Sequence, residues 1–381
     1  MKKPSIDLSG LNSQFEGVSA KVATVLRHVD RTQIAGLVQN KAPEVGDVLL
    51  AKVTSVGDKD TLQSPDGRNV ELHEGDKILV AYGNRYAVEE YKAMVPEKLT
   101  ECHLVSSGGV AALIEETNDV MKSPTVIKPI GLLADENDRV MNIKHSAMRP
   151  LEIDAKSRPT TIAVLGTGMD AGKTTSASAL VKGMERAGHK VGFGKMTGTG
   201  LSSDIHKPQD AGAIAVCDFV DMGYPSTYKV ETDDLINVLQ GITTNLSLRG
   251  TDVNIIEIAD GVLQSDNKKL LRSDQFKSQI DGVLLAADSG LSALYAAEKL
   301  SEHGIPVLAL SGRMMLAPLA VKEFENNVSS DAKPVFGVLG LEDLRKQGNA
   351  NKMMNFIQEH SPDEAPAIEQ PASSNENAAE P

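Results

Sequence analysis

Hydrophobic and polar positions change rhythm near residue 160. Before it, apolar residues come in short runs split by Gly and Asp: VGDVLLAKVTSVG from Val45, then TLQSPDGRNVELHEGD and KILVAYGNRY. Such runs predict short strands, with Pro65-Asp66-Gly67 as a hairpin turn. Their close spacing predicts a small β-rich barrel or sandwich. GVAALIEE and GLLADENDRVMNI continue a mixed segment, and VSAKVATVLRHV within the first 40 residues reads as helical. After the polar stretch DAKSRPT at 154–160 the period lengthens. TIAVLG (161–166) reads as a buried strand. TTSASALVKGMERAG reads as a helix with Ala177, Leu180, Val181 and Met184 on one face and Gly188 ending it. KVGFGK, NIIEIAD (254–260), DGVLLAAD (281–288) and IPVLALSG (305–312) are further strands, separated by helical patterns such as SALYAAEKLSEHG. Strands alternating with helices imply a mostly parallel sheet covered on both faces. The expected organisation is a β-rich domain over 1–155, an α/β domain over 156–360, and a disordered acidic tail over 361–381.

Composition narrows the function classes. The 381 residues carry a formal net charge of −13, and the last 21 hold five acids with no Lys or Arg. An acidic body argues against an extended nucleic-acid surface but leaves room for a local basic site. Cys102 and Cys217 lie far apart, which fits a reducing compartment and offers neither a disulfide framework nor a cysteine metal motif. No stretch has the length and apolarity of a membrane span, and MKKPSIDLSG lacks a signal-type apolar run. The expectation is a soluble cytoplasmic protein.

The chemistry concentrates in GTGMDAGKTT, residues 166–175. It sits between an apolar strand and an amphipathic helix, the context a phosphate-binding loop needs. Glycines let backbone N–H groups converge on phosphate, and the helix N-terminus adds positive potential. Gly166, Thr167, Gly168, Met169, Asp170, Ala171, Gly172, Lys173, Thr174 and Thr175 are therefore candidate nucleotide contacts. Lys173 would reach the outer phosphates, and the Thr174 hydroxyl would ligate Mg²⁺. The spacing is one residue longer than G-x-x-x-x-G-K-[ST]. Downstream, Glu257 and Asp260 end a strand, where open α/β sheets bind ligands. Taken alone, Glu257 reads equally as a Mg²⁺ carboxylate or a solvated strand end. Lys195, flanked by glycines in FGKMTGTG, reads as a ligand contact or a surface lysine.

The longer loop resembles that of dethiobiotin synthetase and its relatives, which read roughly G-T-D-x-x-x-G-K-T. Gly166 to Gly172 has that length, with Gly168 in place of the family's Asp. The likeness extends over about residues 160–340. Lys195, 22 residues after Lys173, matches the family lysine that lies near the γ-phosphate and the substrate, with Met196 replacing Pro. Asp210 in PQDAGAIA matches an Asp that opens a short helix and binds metal, although a helix N-cap explains it as well. Glu257 matches the family's strand-end Glu, with Asp260 replacing a Gly. The resemblance implies a P-loop NTPase domain using ATP and Mg²⁺, with Thr174, Asp210 and Glu257 as metal residues and Lys173 and Lys195 as catalytic residues. It implies a homodimer and a ligase that activates a small acid or amino acid derivative by phosphoryl transfer. The β-rich domain has no counterpart there.

Weaker candidates are Asp204 and His206 in an expected mobile loop, the run Ser226-Thr227-Tyr228, and Arg313 after the last strand. YGNRY (82–86) and SSGG (106–109) read as a second ligand site or as tight turns, with turns preferred. Two rivals remain: a nucleotide switch, disfavoured because its K-G-G-x-G-K-[ST] loop carries an early Lys absent at 166–171, and an N-acyl amino acid transferase of a related P-loop family.

Overall fold

The computed structural model describes residues 5–8, 17–148 and 158–360. The boundary expected at residue 155 and the tail 361–381 lie outside them. The β-rich half is built on a closed ring of five strands. In order around it are Lys77–Tyr82, Val48–Ser55, Thr125–Ala134, Cys102–Ser106 and Val110–Thr117. Neighbours are antiparallel except at the closure, where Val110 and Ala111 pair in parallel with Ala81 and Tyr82. Closure removes the open edges that such short strands would otherwise expose. The hairpin at Gly67 forms as expected, joining Thr61–Gln63 to Asn69–Glu71.

The expected helix in VSAKVATVLRHV is absent. That segment forms the strand Ser19–Val22 and one 3-10 turn, Thr24–Leu26. Lys21 and Val22 pair with Ile78 and Leu79 of the barrel. β-branched Val and Thr accept extended backbone readily, and a distant pairing partner overrides a local helical pattern.

The second half is a six-stranded sheet, parallel throughout. Its order is Ala215–Asp218, Val191–Lys195, Val253–Glu257, Thr160–Gly166, Gly282–Ala286, Val307–Ser311. The edge strand Ala215–Asp218 is too short to announce itself in the pattern. The helix Lys173–Arg186 packs its Ala177, Leu180, Val181 and Met184 face against the sheet and against Met353, Met354 and Ile357 of Gln347–His360. Strand, Gly-rich loop and helix on a parallel sheet make this a P-loop NTPase-type α/β domain joined to a β-rich barrel.

The two halves share an apolar core. Val25, Leu26 and Leu79 belong to the same buried cluster as Phe219, Val220 and Met222. Backbones touch here: a Cβ on Gly108 would fall 1.7 Å from the Gly200 carbonyl oxygen. Ser106 Oγ donates to Gly200 O at 3.1 Å, and Ser202 donates through both N and Oγ to Gln63 Oε1 at 2.8 Å. Arg27 completes the junction by pairing with Asp218 and with Asp221, whose Oδ1 lies 2.9 Å from its Nε. The barrel thus grips residues 196–228, the segment between the second and third strands' carboxyl ends and the next helix.

Candidate functional site

Gly172, at φ 97°, turns the loop into the helix Lys173–Arg186, whose first turn has no side-chain cap. Its leading amides are left for a ligand or water. Lys173 is buried and folds back, donating from Nζ to Gly168 O at 2.6 Å and Met169 O at 3.3 Å. Burial pushes its ammonium below the usual lysine range, while Glu257 and Asp260 pull it up. Thr167 Oγ1 donates to Asp288 Oδ1 at 2.9 Å, tying the start of the loop to the neighbouring strand's end. Gly312 lies against the loop's far side: at φ 100°, a Cβ there would stand 2.4 Å from Ala171 O. Gly168, the departure from the family's Asp, has open space where a side chain would go.

Lys195 and Glu257 end adjacent strands and are register partners. Glu257 is 1% exposed. Its Oε1 accepts from Thr174 Oγ1 at 3.1 Å and lies 3.4 Å from Lys195 Nζ, while its Oε2 has no partner. Lys195 also pairs with Asp204. Burial alone would lower the Lys195 ammonium, but Glu257 and Asp204 together hold it above its ordinary range. Met196 donates its N–H to Glu257 O at 2.9 Å, a bond the family's Pro could not make. Asp260, the other departure, sits at φ 61°, a left-handed conformation that Asp tolerates better than most residues. Burial raises its carboxyl, against Lys173, Lys195 and Arg85. Asn267 fixes this turn by donating to the carbonyls of Ala259 and Gly261.

The metal set needs one correction. Thr174 and Glu257 come together, and the orphaned buried Oε2 fits a divalent cation completed by ligand oxygens. Asp210 does not join them. The helix expected to open at Asp210 is Ser203–Asp210, so Asp210 is its exposed last residue and does not line the cleft. Neither is it an N-cap. Asp204, in the first turn, takes the position facing Lys195. His206 lies in this helix too, not in a loop, and its ring packs against the hairpin tip at Gly67.

These residues line a cleft of about 520 Å³ that both domains enclose. From the α/β side come Met169, Asp170, Gly172, Lys173, Thr174, Thr175, Thr227, Tyr228 and the exposed Arg313. Ser226 is buried behind them, bridged to Thr199. From the barrel come Arg85, Tyr86, Glu90 and Ser106. SSGG forms the expected tight turn, whereas YGNRY is a connection into the strand Arg85–Tyr86, whose two residues line the cleft. Tyr86 meets Tyr228 at a ring separation of 5.3 Å, and Ser106 both opens its turn and faces the cleft. The available signal was an Arg beside a Tyr in an otherwise Gly-rich connection. Among the described residues, no helix is long and apolar enough to cross a membrane.

No protein-family model matches the chain, and no curated protein matches it. Solved structures give distant similarities. The signal recognition particle 54 kDa protein from Aeropyrum pernix K1, in complex with GDP, is 17% identical at TM-score 0.33, covering 56% of this chain and 52% of that one. The receptor FtsY from Elizabethkingia anophelis is 18% identical at TM-score 0.33, covering 53% and 66%. FtsY from Thermotoga maritima is 18% identical at TM-score 0.34, covering 56% and 74%. The chain spans about half the length of the first of these and about two-thirds of the second. Scores at this level carry no inference about what this chain does.

Proposed function

We propose that this chain is an ATP- and Mg²⁺-dependent enzyme that activates a small carboxylic acid or amino acid derivative by phosphoryl transfer. One observation carries the reading: Thr174, Lys195 and Glu257 are linked at 3.1 and 3.4 Å beside the loop that holds Lys173. Phosphoryl transfer asks a protein mainly for positioning and charge neutralisation. Lys173 and the free amides of its helix would hold the outer phosphates. Lys195, fixed by two carboxylates, would meet charge that builds during transfer. Mg²⁺, when bound by Thr174 and Glu257, would neutralise phosphate charge. The barrel would exclude water from the cleft and leave space beyond the loop for a second substrate.

Calorimetry with ATP·Mg tests the reading. The wild type should bind, and Lys173→Ala should lose most of that affinity with its circular dichroism unchanged. Equal affinity in the two proteins refutes the phosphate-loop assignment. Product assays with candidate acids then separate ligase from switch, because a ligase makes ADP only when acid and nucleophile are both present.

A further inference from the structure

Arg85 begins the two-residue strand Arg85–Tyr86 of the barrel, paired with the strand Tyr91–Met94. It is 8% exposed and lines the cleft. Its Nη2 lies 2.9 Å from Glu90 Oε2, but Nε and Nη1 have no protein acceptor. Glu90 does not depend on it, since Lys59 Nζ donates to the same carboxylate oxygen at 2.6 Å. A guanidinium stays charged even when buried, and its N–H groups suit flat or tetrahedral oxyanions. Buried donors are normally satisfied, so two unpartnered buried ones on a residue that lines the cleft mark a missing acceptor. Arg85 also counters the burial that raises the carboxyl of Asp260, another residue lining the cleft.

We propose that Arg85 is an oxyanion receptor that the barrel contributes to the cleft whose other wall carries Lys173 and Lys195. It binds either the terminal phosphate of the nucleotide or the carboxylate of the second substrate. The inference rests on the nucleotide-dependent chemistry proposed for this cleft and gives the barrel a role in it: the P-loop domain holds the nucleotide, and the barrel reads the anion at its reacting end.

The test is calorimetry on full-length wild type, Arg85→Met and Arg85→Lys, with ADP·Mg and with β,γ-imido-ATP·Mg. Thermal-shift titrations with succinate on the ADP·Mg-loaded proteins accompany it. Arg85→Met should bind ADP·Mg within about twofold of wild type, on the scale of a lost contact that ADP does not make. A loss of about tenfold or more for the imido analogue alone, the scale of a charge-assisted contact, assigns Arg85 to the terminal phosphate. Succinate protection that is present in wild type and gone in Arg85→Met assigns it to the carboxylate. If Arg85→Met does not fold, Arg85→Lys gives the same readout, because an ammonium keeps the charge beside Glu90 but lacks the planar fork. Unchanged affinity for the imido analogue, together with an unchanged or absent succinate response, overturns the inference. Nucleotide binding that depends on Lys173, with neither imido-analogue affinity nor succinate protection changed in Arg85→Met, sinks this inference alone. A wild type that binds no nucleotide sinks the proposed function and this inference with it.

Discussion

Arg27→Met probes how the barrel is held over the cleft. Arg27 joins two buried carboxylates: Asp218 is 2% exposed and Asp221 is 6% exposed. Its guanidinium stays firmly protonated, because the pull of Asp218 and Asp221 outweighs the burial that would lower it. Met keeps much of the stem's packing and removes the charge. Breaking a buried pair from one side typically costs about 3–5 kcal/mol, since the partner charge is left uncompensated. The lower end applies here. Asp221 keeps His28 Nε2 at 2.6 Å, and Asp218 keeps the Val220 N–H at 2.8 Å. About 3 kcal/mol corresponds to a fall in Tm of roughly 4 °C for a chain of this size.

The pH dependence has a definite sign. Burial would raise the Asp221 carboxyl, but His28 and Arg27 hold it well below its ordinary 3.8. The stability it lends is therefore present above pH 3.8 and lost as the pH falls below that value. Differential scanning fluorimetry from pH 7 down to about 2 should show the wild type and Arg27→Met converging only below pH 3.8. At neutral pH, adding Asp218→Asn to Arg27→Met should recover part of the loss, because it removes the stranded charge. A Tm for Arg27→Met within 1 °C of wild type at pH 7, or a double variant as unstable as the sum of the two singles, would refute the buried-latch account.

Three further outcomes are expected. Lys195→Met should keep ATP affinity within a fewfold while turnover falls about a hundredfold or more, the scale of one preorganised charge contact; affinity and turnover falling together would confine Lys195 to the nucleotide site. Glu257→Gln should flatten the Mg²⁺ titration of nucleotide binding and strengthen metal-free binding; a normal titration would leave Glu257 as a strand-end residue only. Gly312→Ala should weaken nucleotide binding and cost about 1–3 kcal/mol, because its Cβ meets Ala171 O at 2.4 Å with φ at 100°; a variant with wild-type affinity would show that the loop shifts freely.

What was legible in the sequence was local. The loop, its strand and its helix depend on short-range pattern, so Gly166 to Thr175 fell where expected, and Lys195 and Glu257 followed as strand ends in register. What depended on the second domain was not legible. The helix Ser203–Asp210 hid its start because Ser202 has helical backbone angles and no capping bond of its own, its side chain being engaged by Gln63 of the barrel. Pro208, two residues before the Asp expected to open a helix, lies inside this one. That displaced the metal candidate to Asp210 and left Asp204 in a supposed loop. YGNRY stayed open between a ligand site and a turn for the same reason: its Arg85 lines the cleft only when the barrel docks.

Charge sets what a nucleotide would need on entering this cleft. The cleft's cations are Arg85, Lys173, Lys195, Lys207 and Arg313, but Glu90, Asp170, Asp204, Glu257, Asp260 and Asp266 line it too. Two of the cations are already engaged with carboxylates, Lys195 with Asp204 and Glu257, and Arg85 with Glu90. A triphosphate entering this space would meet as much negative charge as positive. Coulomb repulsion between close like charges is severe where water is excluded. Binding therefore requires a divalent ion to offset Glu257, or an unspent donor elsewhere. Arg85 is that donor, with two nitrogens still free. This makes the signs of two variants opposite in metal-free buffer: Glu257→Gln removes repulsion and should strengthen nucleotide binding, whereas Arg85→Met removes attraction and should weaken binding of the imido analogue if its anion is the phosphate. Opposite shifts of that kind distinguish an electrostatically balanced cleft from one in which both residues merely support the fold, where both substitutions would weaken binding together.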